Sequence, residues 1–304
     1  MIDTIVEAYL QIRRATGFGL KNVERLLRSF ARFVNQRHET GILTKTAIEW
    51  ARQALSPLER DRRLKTVIRF ARYAHAENGD HEIPPADVFG KRRPRRHIPF
   101  IFSGDEIARL RSMALQHRLR NTLLPLTYST LFGLLAATGL RVSEACNLRM
   151  DDVTGDGLLI RATKFRKNRL VPLHATTAAA LDGYIARRRR FASDENYLFV
   201  SLRGKRLCYQ SVCKIFHSLL RAAGIQPEPQ LPQPRIHSLR HSFAVRALEN
   251  CPVDPDRISQ HTLALSTYMG HSSLESTFWY LDATPQLLNG IATAWEDFVW
   301  GGER

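Results

Sequence analysis

The sequence predicts a mainly α-helical chain of two domains, with a small antiparallel β-sheet in the second. Three observations predict this fold. Apolar residues at helical spacing fill the first 80 residues, a proline-containing basic segment follows, and further along two short β-prone runs flank a basic turn. A chain of 304 residues is long enough for two cores. We expect a helical domain over residues 1–82, a linker over 83–100 and a second domain over 101–304.

The first domain is predicted to contain about four helices. Leu26, Phe30 and Val34 recur at helical spacing, as do Leu64 and Val67 further along. Basic side chains decorate these helices, and we expect phosphate contacts from a set on one of them: Arg62, Arg63, Lys65 and Arg69. Acidic residues at the four-residue spacing are too few to neutralise the basic residues of this domain. A solvated helix face is the alternative interpretation.

The linker combines proline with positive charge. Prolines at 84, 85 and 94 prevent a continuous helix and favour extended chain. Its five basic residues are expected to lie along a phosphate backbone: Lys91, Arg92, Arg93, Arg95 and Arg96. A disordered basic tether is the alternative.

The second domain is predicted to open at a capping box formed by Ser103 and Glu106. Residues 123–149 follow as apolar helices, the last of which carries Arg141 and Glu144. Two strands and two helices are then expected, at residues 157–162, 169–173, 175–190 and 209–223.

The charge distribution indicates a polyanionic partner. The net charge is +16, and residues 1–250 hold 43 Lys and Arg against 22 Asp and Glu, whereas residues 251–304 hold 2 against 7. Such a surplus is typical of nucleic-acid binding. The four cysteines lack CxxC spacing, which indicates neither zinc nor redox chemistry and fits a reducing cytoplasm. No apolar run predicts a membrane span and no secretory signal is evident, so we expect a cytoplasmic protein.

Three separated motifs carry residues suited to phosphoryl transfer. They are ATGLRVSEA at 137–145, IHSLRHSFA at 236–244 and MGHSSLESTFWY at 269–280. Arginine can hold two phosphate oxygens with parallel bonds, and histidine can move protons near neutral pH. His237 and Arg240 are three residues apart and would share a helix face. Each motif alone has a structural explanation, such as an amphipathic helix or an aromatic core cluster.

Together these motifs resemble the tyrosine recombinase (phage integrase) family, over essentially the whole chain. The resemblance implies a C-shaped DNA clamp that joins a helical SAM-like core-binding domain to a recombinase catalytic domain. It implies strand cleavage and rejoining through a 3′-phosphotyrosine, which needs neither metal nor ATP. It also implies a double-stranded DNA partner with inverted-repeat core sites, a monomer or dimer in solution and a homotetramer on two DNA sites, associated with the bacterial nucleoid.

The resemblance assigns six catalytic positions. They are Arg141, Lys164, His237, Arg240, His271 and Tyr280. Tyr280, nine residues after His271, would be the nucleophile, and Tyr268 is its rival. Glu144 would orient the active-site groups. His241 is assigned to structure or to phosphate contact.

Lys164 is expected to protonate the departing 5′-oxygen. It lies in the basic turn TKFRKN at 163–168, 23 residues after Arg141, which matches the family's lysine. Arg166 and Lys167 compete for this role and are otherwise expected to contact DNA.

The subfamily and the biological role stay open. The distance from Arg240 to His271 is 31 residues, longer than in compact members, and the extra residues near 251–256 resemble members encoded by bacterial mobile elements. Integration, excision or transposition is therefore expected. A type IB topoisomerase or telomere resolvase is the enzymatic alternative. The non-enzymatic alternative is a DNA-binding regulator that has lost catalysis. The presence of all six catalytic residue types argues against it.

The residues after Tyr280 predict a terminal helix. Thr284 can cap it, with Pro285 in the first turn. An apolar stripe follows: Leu287, Leu288, Ile291, Ala292, Trp295, Phe298 and Val299. In the resembled family such a helix passes to a neighbouring protomer, whereas packing on its own domain is the alternative.

Overall fold

The structure is a computed structural model. It describes residues 2–90, 99–116, 122–161, 168–191, 193, 195–227, 232–250, 255–270, 277 and 280. The chain forms two compact units, Met1–Arg96 and His97–Arg304.

The described part of the first unit is helical. It contains α1 (Ile2–Ala15), α2 (Lys21–Asn35), α3 (Thr44–Arg52) and α4 (Pro57–Glu77). The predicted apolar stripes are buried, and Phe30 of α2 packs edge-on against Trp50 of α3 at 5.3 Å between ring centroids. Helix α4 begins where its sequence signals a start, because the Ser56 hydroxyl accepts the Glu59 N–H at 3.2 Å.

The second unit is built around an apolar helix. Its helices are α5 (Gly104–Leu115), α6 (Leu124–Thr138), α7 (Val142–Asn147), α8 (Ala175–Arg188), α9 (Tyr209–Ala222), α10 (Ile236–Glu249) and α11 (Pro255–Met269). Helix α6 packs against α5, α8 and α10, so its apolar surface is covered on several sides. The capping box predicted at Ser103 and Glu106 is present. In the described part of the chain, no helix is both long and apolar enough to cross a membrane.

A small antiparallel sheet covers part of this unit. It consists of β1 (Val153–Thr154), β2 (Gly157–Ile160) and β3 (Arg169–Val171), with Leu158 opposite Val171 and Ile160 opposite Arg169. The mainly helical fold with a small antiparallel sheet, predicted from the sequence, is confirmed.

Both predicted strands are shorter than expected. The first ends at Ile160, and Arg161 turns its guanidinium to the buried Asp152 carboxylate instead of continuing the strand. The second ends at Val171, because Pro172 has no N–H to donate to a ladder.

Candidate active site

Arg141 lies at the junction of α6 and α7. Helix α6 ends at Thr138, and Gly139 follows with a φ of +61°; a Cβ there would lie 2.4 Å from the Phe243 ring. Only glycine fits this left-handed, crowded position. Helix α7 begins at Val142, so the prediction that Arg141 lies within a helix is wrong. The reason is Gly139, whose conformation ends one helix before the next can start.

The Arg141 guanidinium is held from two sides. Nη1 donates to Glu144 Oε1 at 2.8 Å, and Nη2 donates to the Gly270 carbonyl at 2.9 Å. Glu144 also accepts the Arg141 main-chain N–H at 2.9 Å. Glu144 therefore contacts the arginine that it was expected to orient, while a third of the arginine side chain stays exposed.

Arg169 completes this cluster and was missed from the sequence. Its Nη1 and Nη2 donate to the two Glu144 oxygens at 3.1 and 2.8 Å, and its Nε donates to the Tyr268 carbonyl at 3.1 Å. A signal was available, because Arg169 alternates with the buried Val171 and so falls on the inward face of β3. An inward-facing arginine requires hydrogen-bond acceptors, and a carboxylate is the strongest of them.

Burial and ion pairing act in opposite directions on Glu144. Burial alone would raise the pKa of its carboxyl group, but the bonds from Arg169 and Arg141 outweigh burial and leave the pKa below its ordinary value. Glu144 is therefore ionised at neutral pH and can keep both guanidinium groups in place.

Gly270 brings α11 against the same cluster. Its φ is +66°, and a Cβ would lie 2.8 Å from Nη1 of Arg169. Its carbonyl is the acceptor for Arg141. The glycine at the end of α11 thus permits both contacts.

Arg240 is the buried arginine of the site. It lies on α10 with 2% of its surface exposed, and its guanidinium donates to the main-chain carbonyls of Gly139 and Met269. Burial and the nearby charge of Arg141 lower its pKa to about 10, so it remains positively charged at neutral pH. These bonds fix Arg240 between the end of α6 and the end of α11.

His237 lies one turn before Arg240 on α10, as the spacing predicted. Its side chain is exposed at the surface. Even so, its pKa is lowered to about 4. The larger cause is desolvation of the ring by the surrounding protein, and the positive charges of Arg240 and Arg141 add to it. His237 is therefore neutral at pH 7. One of its ring nitrogens can donate a hydrogen bond and the other can accept one.

Tyr280 is buried beside these groups, with 2% of its surface exposed. Its hydroxyl lies 3.0 Å from Nδ1 of His241. Burial raises the pKa of Tyr280, and the positive charges of Arg240 and Arg141 act against that rise. The hydroxyl therefore lies within reach of the arginine cluster, while its ring packs among apolar side chains of α10 and α11.

His241 contacts the Tyr280 hydroxyl, whereas the sequence indicated only a structural role or a phosphate contact for it. It lies four residues after His237, and the two rings meet edge-on with centroids 4.7 Å apart. The four-residue spacing was a usable signal, because it places both histidines on one face of α10. What the sequence could not provide was the contact with Tyr280, which joins residues 39 positions apart.

Tyr268, the rival nucleophile, has different surroundings. Its ring stacks on Phe243 at 5.5 Å between centroids. Its main-chain carbonyl serves the cluster by accepting from Arg169. These contacts favour a structural role for Tyr268.

Several predicted residues lie outside the described part of the chain. They are Lys164, Arg166, Lys167, His271, the five basic linker residues Lys91, Arg92, Arg93, Arg95 and Arg96, and the tail from 281 onward. Their assignments remain predictions.

The predicted phosphate contacts on α4 are partly engaged with acidic neighbours. Arg62 pairs with Glu59 at 2.8 Å, and Lys65 pairs with Asp61 at 2.8 Å. Arg63 lies 3.8 Å from the same Glu59 and also over the Trp50 ring. Arg69 is exposed, and within the described residues it forms no salt bridge. Exposed pairs of this kind are weak, so they leave these cations available to a stronger anion.

A family model and a related protein both identify this chain as similar to integrases. The model of the phage integrase family matches residues 102–286. The integrase/recombinase y4rB of Sinorhizobium fredii (strain NBRC 101917 / NGR234) is 38% identical, over 96% of this chain and 97% of that protein.

Two solved structures share the fold. A post-cleavage complex of XerH recombinase with a palindromic difH substrate has a TM-score of 0.66 and 19% identity, covering 91% of this chain and 80% of that one. A lambda integrase tetramer on a Holliday junction has a TM-score of 0.64 and 17% identity, covering 92% and 76%.

The chain therefore belongs to the phage integrase family. It is a tyrosine-type site-specific DNA recombinase, and the family and enzyme class that its motifs implied are confirmed.

Proposed function

We propose that this recombinase acts for a bacterial mobile element, with Tyr280 as the nucleophile that cleaves and rejoins DNA. One observation carries the proposal. Arg141 and Arg240 come from two motifs about 100 residues apart, and both act on the hydroxyl of Tyr280 from a third motif, which also lies 3.0 Å from Nδ1 of His241.

The proposed chemistry uses each group in turn. Oη of Tyr280 attacks the scissile phosphorus, and the bond from phosphorus to the 5′-oxygen breaks. The products are a 3′-phosphotyrosine and a free 5′-hydroxyl, and the hydroxyl of a partner duplex reverses the step. Arg141 and Arg240 offset the charge that develops on the non-bridging oxygens. The covalent intermediate keeps the bond energy, so no ATP is consumed.

The remaining roles rest on the family resemblance. Lys164 would protonate the departing 5′-oxygen, and His271 would bond the phosphate. Neutral His237 is suited to a hydrogen bond with a phosphate oxygen, because one of its ring nitrogens carries a hydrogen that it can donate.

The proposed partner is double-stranded DNA with inverted repeats. Support comes from the basic surplus in residues 1–250 and from XerH, whose structure contains a palindromic difH substrate. A homotetramer on two DNA sites, formed from a monomer or dimer, is proposed by analogy with the lambda integrase tetramer. The tail helix at 285–299 would join neighbouring protomers, and the protein would act in the bacterial cytoplasm at the nucleoid.

The decisive experiment is covalent trapping. DNA flanking the encoding gene is screened for bound inverted repeats, and a nicked duplex carrying that site is incubated with wild type, Tyr280→Phe and Tyr268→Phe. Wild type and Tyr268→Phe should form a covalent adduct, whereas Tyr280→Phe should bind DNA and form none. An adduct from Tyr280→Phe would refute the assignment.

The same DNA separates the alternatives. A recombinase exchanges strands between two sites, whereas a type IB topoisomerase relaxes a supercoiled plasmid carrying one site. A regulator without catalysis would bind the repeats and give no adduct under any condition.

A further inference from the structure

We infer that His241 is a further catalytic residue, whose Nδ1 takes the proton of the Tyr280 hydroxyl as that oxygen attacks phosphorus. This inference rests on the proposed role of Tyr280 as nucleophile. The carrying observation is the 3.0 Å separation between Nδ1 and Oη, which is within the range of a direct proton transfer.

The site requires a proton acceptor at this place. Tyr280 is buried, which disfavours the free phenolate. The charges of Arg240 and Arg141 favour the phenolate, but a guanidinium cannot take up a proton. A neutral imidazole at hydrogen-bond distance can.

His237 is the competing base on the same helix. Its low pKa of about 4 makes it a weak proton acceptor at neutral pH. It lies edge-on against His241 and is neutral, so it places no like charge next to an imidazolium formed there. The two histidines therefore have different neighbours. His237 lies near Arg240 and Arg141, whereas His241 contacts the Tyr280 hydroxyl.

The proton balance closes within the active site. The bond between Oη and its hydrogen breaks, Nδ1 of His241 gains the proton, and the new bond forms from Oη to phosphorus. Acceptance at Nδ1 uses the tautomer that carries its hydrogen on Nε2. The 5′-oxygen departs and takes a proton from the general acid of the proposed function. In the reverse step His241 returns its proton to Oη.

Charged groups around the pair bear on this transfer. Those facing it or its immediate neighbours are Arg141, Glu144, Arg169, His237 and Arg240. The three arginines oppose a further positive charge, and Glu144 offsets part of theirs. A bound phosphodiester supplies another negative charge, so the transfer is favoured when substrate is in place.

The test combines His241→Asn with a more acidic tyrosine. Asparagine places an amide near the former Nδ1 position and can keep a hydrogen bond, but it is not a base at neutral pH. Covalent adduct formation on the nicked duplex should slow on the order of 10²–10⁴-fold. Replacing Tyr280 with 3-fluorotyrosine, whose phenol is more acidic, should recover much of that loss in His241→Asn and none of the loss in Arg141→Ala.

Controls separate this role from folding and from leaving-group protonation. His217→Asn, at an exposed position on α9, should retain the wild-type rate. DNA affinity and thermal stability of His241→Asn should stay near wild type. A 5′-bridging phosphorothiolate, whose leaving group needs no proton, should not rescue His241→Asn.

Three outcomes would overturn the inference: a wild-type rate for His241→Asn, no recovery with fluorotyrosine, or rescue by the phosphorothiolate. Each of these leaves the nucleophile assignment standing as long as Tyr280→Phe forms no adduct. An adduct from Tyr280→Phe would instead remove the proposed function itself.

Discussion

Arg169 and Glu144 form a two-bonded ion pair, with 3.1 Å from Nη1 to Oε1 and 2.8 Å from Nη2 to Oε2. The pair joins the start of β3 to the first turn of α7, and both side chains are nearly buried. Since Glu144 also holds Arg141, the pair connects the small sheet to the arginine cluster.

Arg169→Met should therefore reduce both stability and cleavage. It removes two bonds to a buried carboxylate, which should lower the free energy of unfolding by about 1–3 kcal/mol. Denaturant titration measures this change, and adduct formation on the nicked duplex should slow in parallel. Lys205→Ala, at an exposed pair 3.4 Å from Glu195, should change stability by less than about 1 kcal/mol. Equal effects of the two substitutions would contradict the role assigned to Arg169.

Glu144 should make stability depend on acid pH. Its pKa in the folded protein lies below the ordinary value of 4.5, so the unfolded chain binds the proton more tightly. Its stabilisation is complete above that ordinary value and is lost as the pH falls through the folded pKa. Glu144→Gln should be less stable than wild type at neutral pH, with a flatter decline as the pH falls below 4.5. Parallel acid profiles for the two proteins would count against the ion-pair account.

His237 should titrate near pH 4 in the free protein. Its pKa is lowered from 6.5 to about 4, so protonation favours the unfolded chain, and the associated stability is lost as the pH falls between these values. A histidine-detected NMR titration, assigned with His237→Gln, measures the midpoint. Binding of a phosphate analogue such as vanadate should raise the midpoint, because the anion favours imidazolium. A midpoint near 6.5 in the free protein would show that neither desolvation nor the arginine charges act on the ring as described.

Arg240→Lys should bind DNA and cleave it poorly. Lysine keeps the positive charge but cannot reproduce the planar fork that bonds the Gly139 and Met269 carbonyls. We expect a cleavage rate lower by on the order of 10²–10³-fold, with DNA affinity within a few-fold of wild type. Single-turnover cleavage and fluorescence anisotropy measure the two quantities. Equal losses in both would identify Arg240 as an ordinary phosphate anchor.

Gly139→Ala and Gly183→Ala should have opposite effects on stability. Gly139 has a φ of +61°, and a Cβ added there would lie 2.4 Å from the Phe243 ring, so alanine should destabilise by more than about 1 kcal/mol. Gly183 lies exposed within α8 with open space around it, so alanine should stabilise by about 0.5–1 kcal/mol. Thermal unfolding of both variants checks the pair of signs. Stabilisation by Gly139→Ala would show that α6 can continue through this position.

The sequence predicted elements whose signals are local. The capping box at Ser103 lies where it was expected, and the HxxR spacing placed His237 and Arg240 on one helix. The prediction went wrong at Arg141, because an apolar helical pattern continues through a glycine whose conformation depends on Phe243, about 100 residues away.

The contacts of Arg169 and His241 could not be predicted from the sequence, because they too depend on residues that are distant along the chain. Each residue has a local signal, an inward position on a strand or a four-residue spacing on a helix. Neither signal identifies the partner, since Glu144 and Tyr280 lie 25 and 39 positions away and meet them only through tertiary packing.

The acceptors that hold Arg240 are main-chain carbonyls, and this affects how the protein can diverge. A carbonyl is present whatever side chain its residue bears, so substitutions around Met269 leave that acceptor in place as long as the backbone path is kept. Surfaces that read the DNA sequence can therefore change over evolutionary time while Arg240 keeps its position. A chain of this design is a good starting point for directed evolution toward new target sites, because selection can act on recognition without rebuilding the chemistry.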